Sequence, residues 1–184
     1  MAQIGECRNL ILKGNLTTPL LGTLLSSFRH LETLRISDNN LGDNGATALA
    51  NALPRVPTLQ GLYLADNDFG DNGVVALAGA LPQLPRLQTL HLHHSNLGNN
   101  DAAALAVALP QLPELHTLVL ADNYIRYDGA FALANALPHT PALQTLNLSD
   151  NRIENHGAIA LAHALPQADT RVLYLTGNPC LTEV

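Results

Sequence analysis

Tryptophan is absent from this sequence, and its 184 residues include only three Phe, four Tyr, two Cys and one lysine, Lys13. An interior built with so few rings must be filled by Leu and Ala, which favours a repeated packing unit over an individually fitted core. The two cysteines, Cys7 and Cys180, are too few for a disulfide-scaffolded secreted fold and point to a reducing, cytoplasmic compartment. No apolar run approaches the roughly 18 residues of a membrane span. The opening MAQIGECRNL shows no basic stretch followed by an apolar one, so no Sec signal is expected. Runs of Lys or Arg are also missing, and the formal net charge is −6. That balance disfavours nucleic acid or an anionic membrane as the main partner and suits a basic protein instead. The marks of catalysis are lacking too. Neither cysteine has an evident His partner, and there is no G-x-S-x-G, no P-loop and no paired carboxylates in an expected pocket, so neither an enzyme nor a cofactor is expected.

What is present is repetition. Full copies start at Leu31, Leu59, Leu87 and Leu115, each 28 residues after the last, and another starts at Leu143. A degenerate first copy occupies 7–30, the regular ones 31–58, 59–86, 87–114, 115–142 and 143–169, and a terminal half copy 170–181. No linker interrupts the series, so one domain is expected over 1–184.

Each copy has two physical halves. Leu34 and Ile36, Leu62 and Leu64, Leu90 and Leu92, Leu118 and Leu120, and Leu146 and Leu148 stand two apart, the period of a strand with one buried face. Ala46, Leu49, Ala50 and Leu53 follow helical spacing, as do Ala102, Leu105, Ala106 and Leu109. Asp43 and Asp71 are expected to serve the free N–H groups at their own helix starts, and Leu-Pro pairs such as Leu53-Pro54 to end the helices. Asn39, Asn67, Asn123 and Asn151 mark the turn out of each strand, where a buried amide can satisfy backbone groups that the sheet leaves unpaired. Ser95 interrupts this column and is expected to make fewer of the same bonds. Asn15-Leu16-Thr17 and Asn147-Leu148-Ser149 match the glycosylation sequon, but both are expected to fall within the core pattern. One copy buries too little apolar surface to offset the ordering of its own chain, so neighbouring copies must stack.

The phrase LxxLxLxxNxLGDxGAxALAxALPxxPx, read directly in 31–58 and 59–86, resembles the ribonuclease-inhibitor-like class of leucine-rich repeat across roughly residues 7–181. The resemblance implies an α/β horseshoe-shaped solenoid, with a parallel sheet on the concave side, helices on the convex side, and protein binding as its usual use. Repeats of this class also occur in GTPase-activating proteins for Ran, in innate-immune receptors and in effectors that intracellular bacteria deliver into host cells. The expected function is therefore a non-catalytic interaction module. Ran-type GTPase activation, a structural scaffold and a fragment of a larger receptor stand as alternatives. The lone Lys13 would limit ubiquitin attachment in a host cytosol, which suits an effector delivered without a Sec signal.

The same resemblance places Arg35, Tyr63, His91, Val119, Asn147 and Tyr174 in one outward row, with Ser37, Ala65, His93, Ala121, Ser149 and Thr176 in the next. Asp38, Asp66, His94, Asp122 and Asp150 form an acidic rim beside them. Tyr63, Tyr124, Arg126, Tyr127 and Arg152 are the side chains best suited to anchor a partner, and they are expected to surround the histidines of the 87–114 copy. That copy departs most from its siblings, at His91, His93, His94, Ser95 and Asp101. His91 and His93 supply two ligands where zinc takes three or four from the protein, so no metal is expected. His94, between Asp66 and Asp122, is a candidate pH sensor. Thr170–Thr176 leaves an open strand edge that could pair with a second copy.

Overall fold

The computed structural model describes residues 6–14 and 18–179. Seven short parallel strands form one sheet in sequence order: β1 (Asn9–Ile11), β2 (Thr33–Arg35), β3 (Gly61–Tyr63), β4 (Thr89–His91), β5 (Thr117–Val119), β6 (Thr145–Asn147) and β7 (Val172–Tyr174). They alternate with α1 (Thr18–Leu25), α2 (Gly42–Ala52), α3 (Asp71–Ala80), α4 (Asn99–Ala108), α5 (Tyr127–Ala136) and α6 (Asn155–Ala164). The result is an α/β solenoid.

Register follows from the repeat. Leu34, Leu62, Leu90, Leu118 and Leu146 pair in one line across the sheet, all inside a single continuous core. On the other side of that core, small Ala46, Ala102 and Ala130 let the helices approach closely. Adjacent strands lie about 4.8 Å apart, whereas packed helices need about 8–10 Å. A stack with one strand and one helix per step must therefore bend, with the sheet on the inside.

The Leu-Pro pairs end the α-helices as expected: α2 to α6 each stop at the alanine before the pair, and the chain continues as a 3-10 turn, as at Leu53–Arg55 and Leu109–Gln111. Proline is tolerated there because the first turn of a helix has no use for its missing N–H. The expectation for Asp43 is corrected, and the Asp71 side chain lies outside what the structure describes. Asp43 Oδ1 accepts the Gly73 N–H at 2.7 Å, one repeat on, and Asn99 Oδ1 accepts those of Arg126 at 2.8 Å and Gly129 at 3.2 Å. These contacts stitch one repeat to the next. Asp101 instead serves its own helix. It is fully buried and its Oδ2 accepts the Gly98 N–H at 2.8 Å, so its departure from the repeat phrase is structural.

The asparagine column is a second set of stitches. Asn123 Nδ2 donates to the carbonyls of Leu92, Leu120 and Ala121, each at 3.0 Å, while its Oδ1 accepts the Ser95 and Leu97 N–H groups at 3.1 and 2.9 Å. Asn67 and Asn151 repeat the pattern, and Asn178 continues it by accepting the Ile153 N–H. Ser95 makes only two contacts through its hydroxyl, to His93 O at 3.1 Å and Leu64 O at 3.4 Å. Cys7 is half-buried against the core, and Cys180 and Asn15-Leu16-Thr17 lie outside the described residues. Asn147 is half-buried on the outward sheet face, its Oδ1 accepts the Ser149 N–H, and Leu148 between them is buried in the core.

Candidate functional site

Strand alternation turns every second side chain away from the leucine core, onto the concave face. Strand register sets Arg35 opposite Tyr63, Tyr63 opposite His91, His91 opposite Val119, Val119 opposite Asn147 and Asn147 opposite Tyr174. The first three are stacked on one another. The Arg35 guanidinium carbon lies 3.6 Å from the centre of the Tyr63 ring, and that ring is 4.8 Å from the His91 ring. Val119 and Asn147 continue the row half-buried, and Tyr174 ends it exposed on the last described strand.

A glycine that sequence reading passed over makes this stack possible. Gly61 stands where β2, β4, β5 and β6 carry Thr33, Thr89, Thr117 and Thr145. A Cβ at Gly61 would come within 2.9 Å of Tyr63 Cε2, so the tyrosine ring lies in the space a threonine would fill. The signal was legible as a break in the run of threonines that β2, β4, β5 and β6 share.

Backbone conformation explains the acidic rim. Asp38, Asp66, His94, Asp122 and Asp150 all have φ between 50° and 59°. This left-handed region excludes most side chains but accepts Asp, Asn and His. In three repeats the residue two further on, Asn40, Asp68 or Asn96, is left-handed as well. Tyr124 and Arg152 stand at the matching place in the next two repeats and are free of that constraint. There the Arg152 guanidinium lies 4.3 Å from the Tyr124 ring centre. The rim thus changes from small polar residues to a stacked aromatic-cation pair along the array.

The histidines of the 87–114 copy meet different environments. His94 Nδ1 is 2.6 Å from Asp66 Oδ1, and His93 Nε2 is 3.9 Å from Asp66 Oδ2. The hydrogen bond to Asp66, aided by the charge of Asp122, raises the His94 pKa above its ordinary value. Burial lowers that of His91, with His93 and Arg35 adding to the effect. One repeat therefore carries a ring whose neutral form is favoured beside Tyr63 and a ring whose protonated form is favoured at the rim. Among the described residues no group of three or more His, Cys, Asp or Glu is arranged to hold a metal ion.

The expected anchor group is not all in one place. Tyr63 belongs to the sheet face, and Tyr124 with Arg152 to the loops that follow the strands. Tyr127 opens α5 and packs against Phe131 at 5.8 Å and His156 at 6.4 Å, lining a helix-side groove of about 440 Å³ with Ile159 and His163. Arg126, exposed just before α5, lies between these two neighbourhoods. None of the described helices is long and apolar enough to cross a membrane.

Residues 29–50, 57–78 and 141–162 match the family model described as Leucine Rich repeat. No curated protein matches the chain. The three matched stretches recur at the observed strand-and-helix period, so the array is a leucine-rich-repeat solenoid.

Proposed function

We propose that the chain is a non-catalytic interaction module, working as one domain, that holds a partner protein on the concave face of its sheet. Repeats of this kind generally mediate contacts between proteins. The observation that carries the reading is the stack of Arg35, Tyr63 and His91 on three adjacent strands. Tyr and Arg are the side chains on which interfaces concentrate binding energy, because they bring large area with few rotors and retain a polar end. Strands whose inner face is locked into the leucine core hold such groups in place before binding. Val119, Asn147 and Tyr174 extend the contact surface along the row, and Tyr124 with Arg152 frames one side of it. Asp38, Asp66, Asp122 and Asp150 set a negative rim beside the row, which favours a partner with basic side chains. The helix-start phrase supports assignment to the ribonuclease-inhibitor-like class, and the scarcity of lysine supports an effector role inside another cell's cytosol.

The test is affinity capture with the intact chain beside a variant carrying Tyr63→Ala, His91→Ala and His93→Ala, both checked for folding by circular dichroism. Proteins retained by the wild type and lost from the folded variant are the expected result. An identical set of retained proteins would remove the concave face from consideration.

A further inference from the structure

We propose that Arg35, laid over Tyr63 in the space left by Gly61, is the anchor for a carboxylate side chain of the partner, so that the bound segment pairs one acidic residue with basic neighbours. This rests on the concave-face reading above and adds the chemistry of what sits there.

Three observations support the assignment. First, Arg35 is exposed, and among the described residues no carboxylate forms an ion pair with it. A cation is therefore available on β2, on a face whose rim is acidic. Second, its guanidinium carbon lies over the Tyr63 ring, 3.6 Å from the ring centre, a contact that restrains the group. A guanidinium fork matches the two oxygens of a carboxylate, and restraining it beforehand reduces the rotamer freedom lost on binding. Third, the arrangement requires Gly61. Threonine, the residue at this place in four other strands, would put its Cβ 2.9 Å from Tyr63 Cε2 and displace the ring that supports Arg35. Departure from the repeated threonine at Gly61, with Arg35 and Tyr63 at the variable outward position, builds one feature that the repeat itself has no use for.

The rim supplies the second half of the specificity. Asp38 follows Arg35 by three residues, about 10 Å along the strand direction at roughly 3.3 Å per residue. Asp66 and Asp122 continue that line over the next repeats. Asp66 is already engaged by His94 and His93, so Asp38, Asp122 and Asp150 are the carboxylates that meet the partner. A protein segment with Asp or Glu at one point and Lys or Arg two to four residues away satisfies both, whereas a uniformly basic segment leaves Arg35 facing a like charge.

The probe is a library of random twelve-residue peptides displayed on phage and selected on the intact chain. Individual peptides are then measured by fluorescence anisotropy against wild type, Arg35→Gln, Gly61→Thr and Val119→Arg. Enriched peptides are expected to carry an acidic residue with a basic one nearby, and to bind Arg35→Gln and Gly61→Thr at least tenfold more weakly. Gly61→Thr is the discriminating variant, because it restores the repeat's own residue and should melt no lower than wild type. Peptides without an acidic residue, peptides indifferent to Arg35→Gln and Gly61→Thr, or a library that yields no binder would each overturn the anchor. If those two variants leave affinity unchanged while Val119→Arg abolishes it, the concave face stands and only the anchor falls. If all three leave it unchanged, the face falls with it.

Discussion

Replacing Asn123 by Ala should be among the most damaging single changes in the array, and the cost can be worked from its partners. The side chain is buried and makes five contacts. Two of the three carbonyls it serves keep another donor: Leu120 O also accepts from Asn151, and Ala121 O from the His94 N–H. The Ser95 and Leu97 N–H groups and Leu92 O lose the partner the amide gave them. Each buried group left unpaired costs about 1–3 kcal/mol, so the three together should cost at least about 3 kcal/mol. Ser95→Ala is the control in the same column. Its hydroxyl contacts His93 O and Leu64 O, which retain the Asp66 N–H and the Asn67 amide respectively, so the cost should stay under about 1 kcal/mol. Urea unfolding followed by far-ultraviolet circular dichroism measures both. Equal shifts for the two variants would refute the view that the asparagines hold neighbouring turns together.

Ser95→Asn should complete the column and stabilise the chain by about 1 kcal/mol in the same assay, since one more turn gains an amide partner; a loss of stability would show that the site cannot seat the larger side chain. Gly129→Ala places a Cβ 2.8 Å from Ile125 Cγ2 and 3.0 Å from Ala102 Cβ, and should cost about 1–3 kcal/mol from overpacking between repeats. A neutral result would mean that α5 can shift freely against α4. Histidine titration by NMR should find His94 above and His91 below the ordinary imidazole value of about 6.5. The stability His94 contributes is present below that value and is lost as pH rises through its raised folded pKa. His91 acts in the opposite sense, adding stability as pH rises toward about 6.5 and losing it as pH falls through its lowered pKa. Asp66→Asn should bring His94 back down and leave His91 in place; an unmoved His94 would exclude the Asp66 hydrogen bond as the main cause.

Much of the fold could be read from the sequence because a single phrase states it six times over. Leucines two apart gave the strands, and alanines and leucines at helical spacing gave the helices. Repetition averaged out the ambiguity that a single short strand would carry. Details that depend on contacts between repeats could not be read this way. Asp43 looks like a cap for its own helix, but the helix start of the next repeat comes within reach once the copies stack. The Leu-Pro pairs were readable as the ends of the α-helices, but not the 3-10 turn that follows each of them. Of the candidate site, the outward row followed directly from strand period. The stacking within it did not, because that depends on Gly61, whose meaning lies in the missing Cβ. Sequence spacing puts Tyr127 on the loop after the strand with Tyr124, whereas it opens α5 and packs on the helix side. The left-handed turns that select Asp at the rim are likewise visible only once backbone angles are known.

The most direct measurement compares two charge insertions on opposite faces, using the protein captured by the wild-type chain and biolayer interferometry. Val119 sits on the concave face, and Val107 is 73% exposed on the helix side. Val119→Arg should weaken binding at least tenfold and Val107→Arg should leave it unchanged. The reverse pattern, with Val107→Arg destructive and Val119→Arg silent, would contradict the concave-face account.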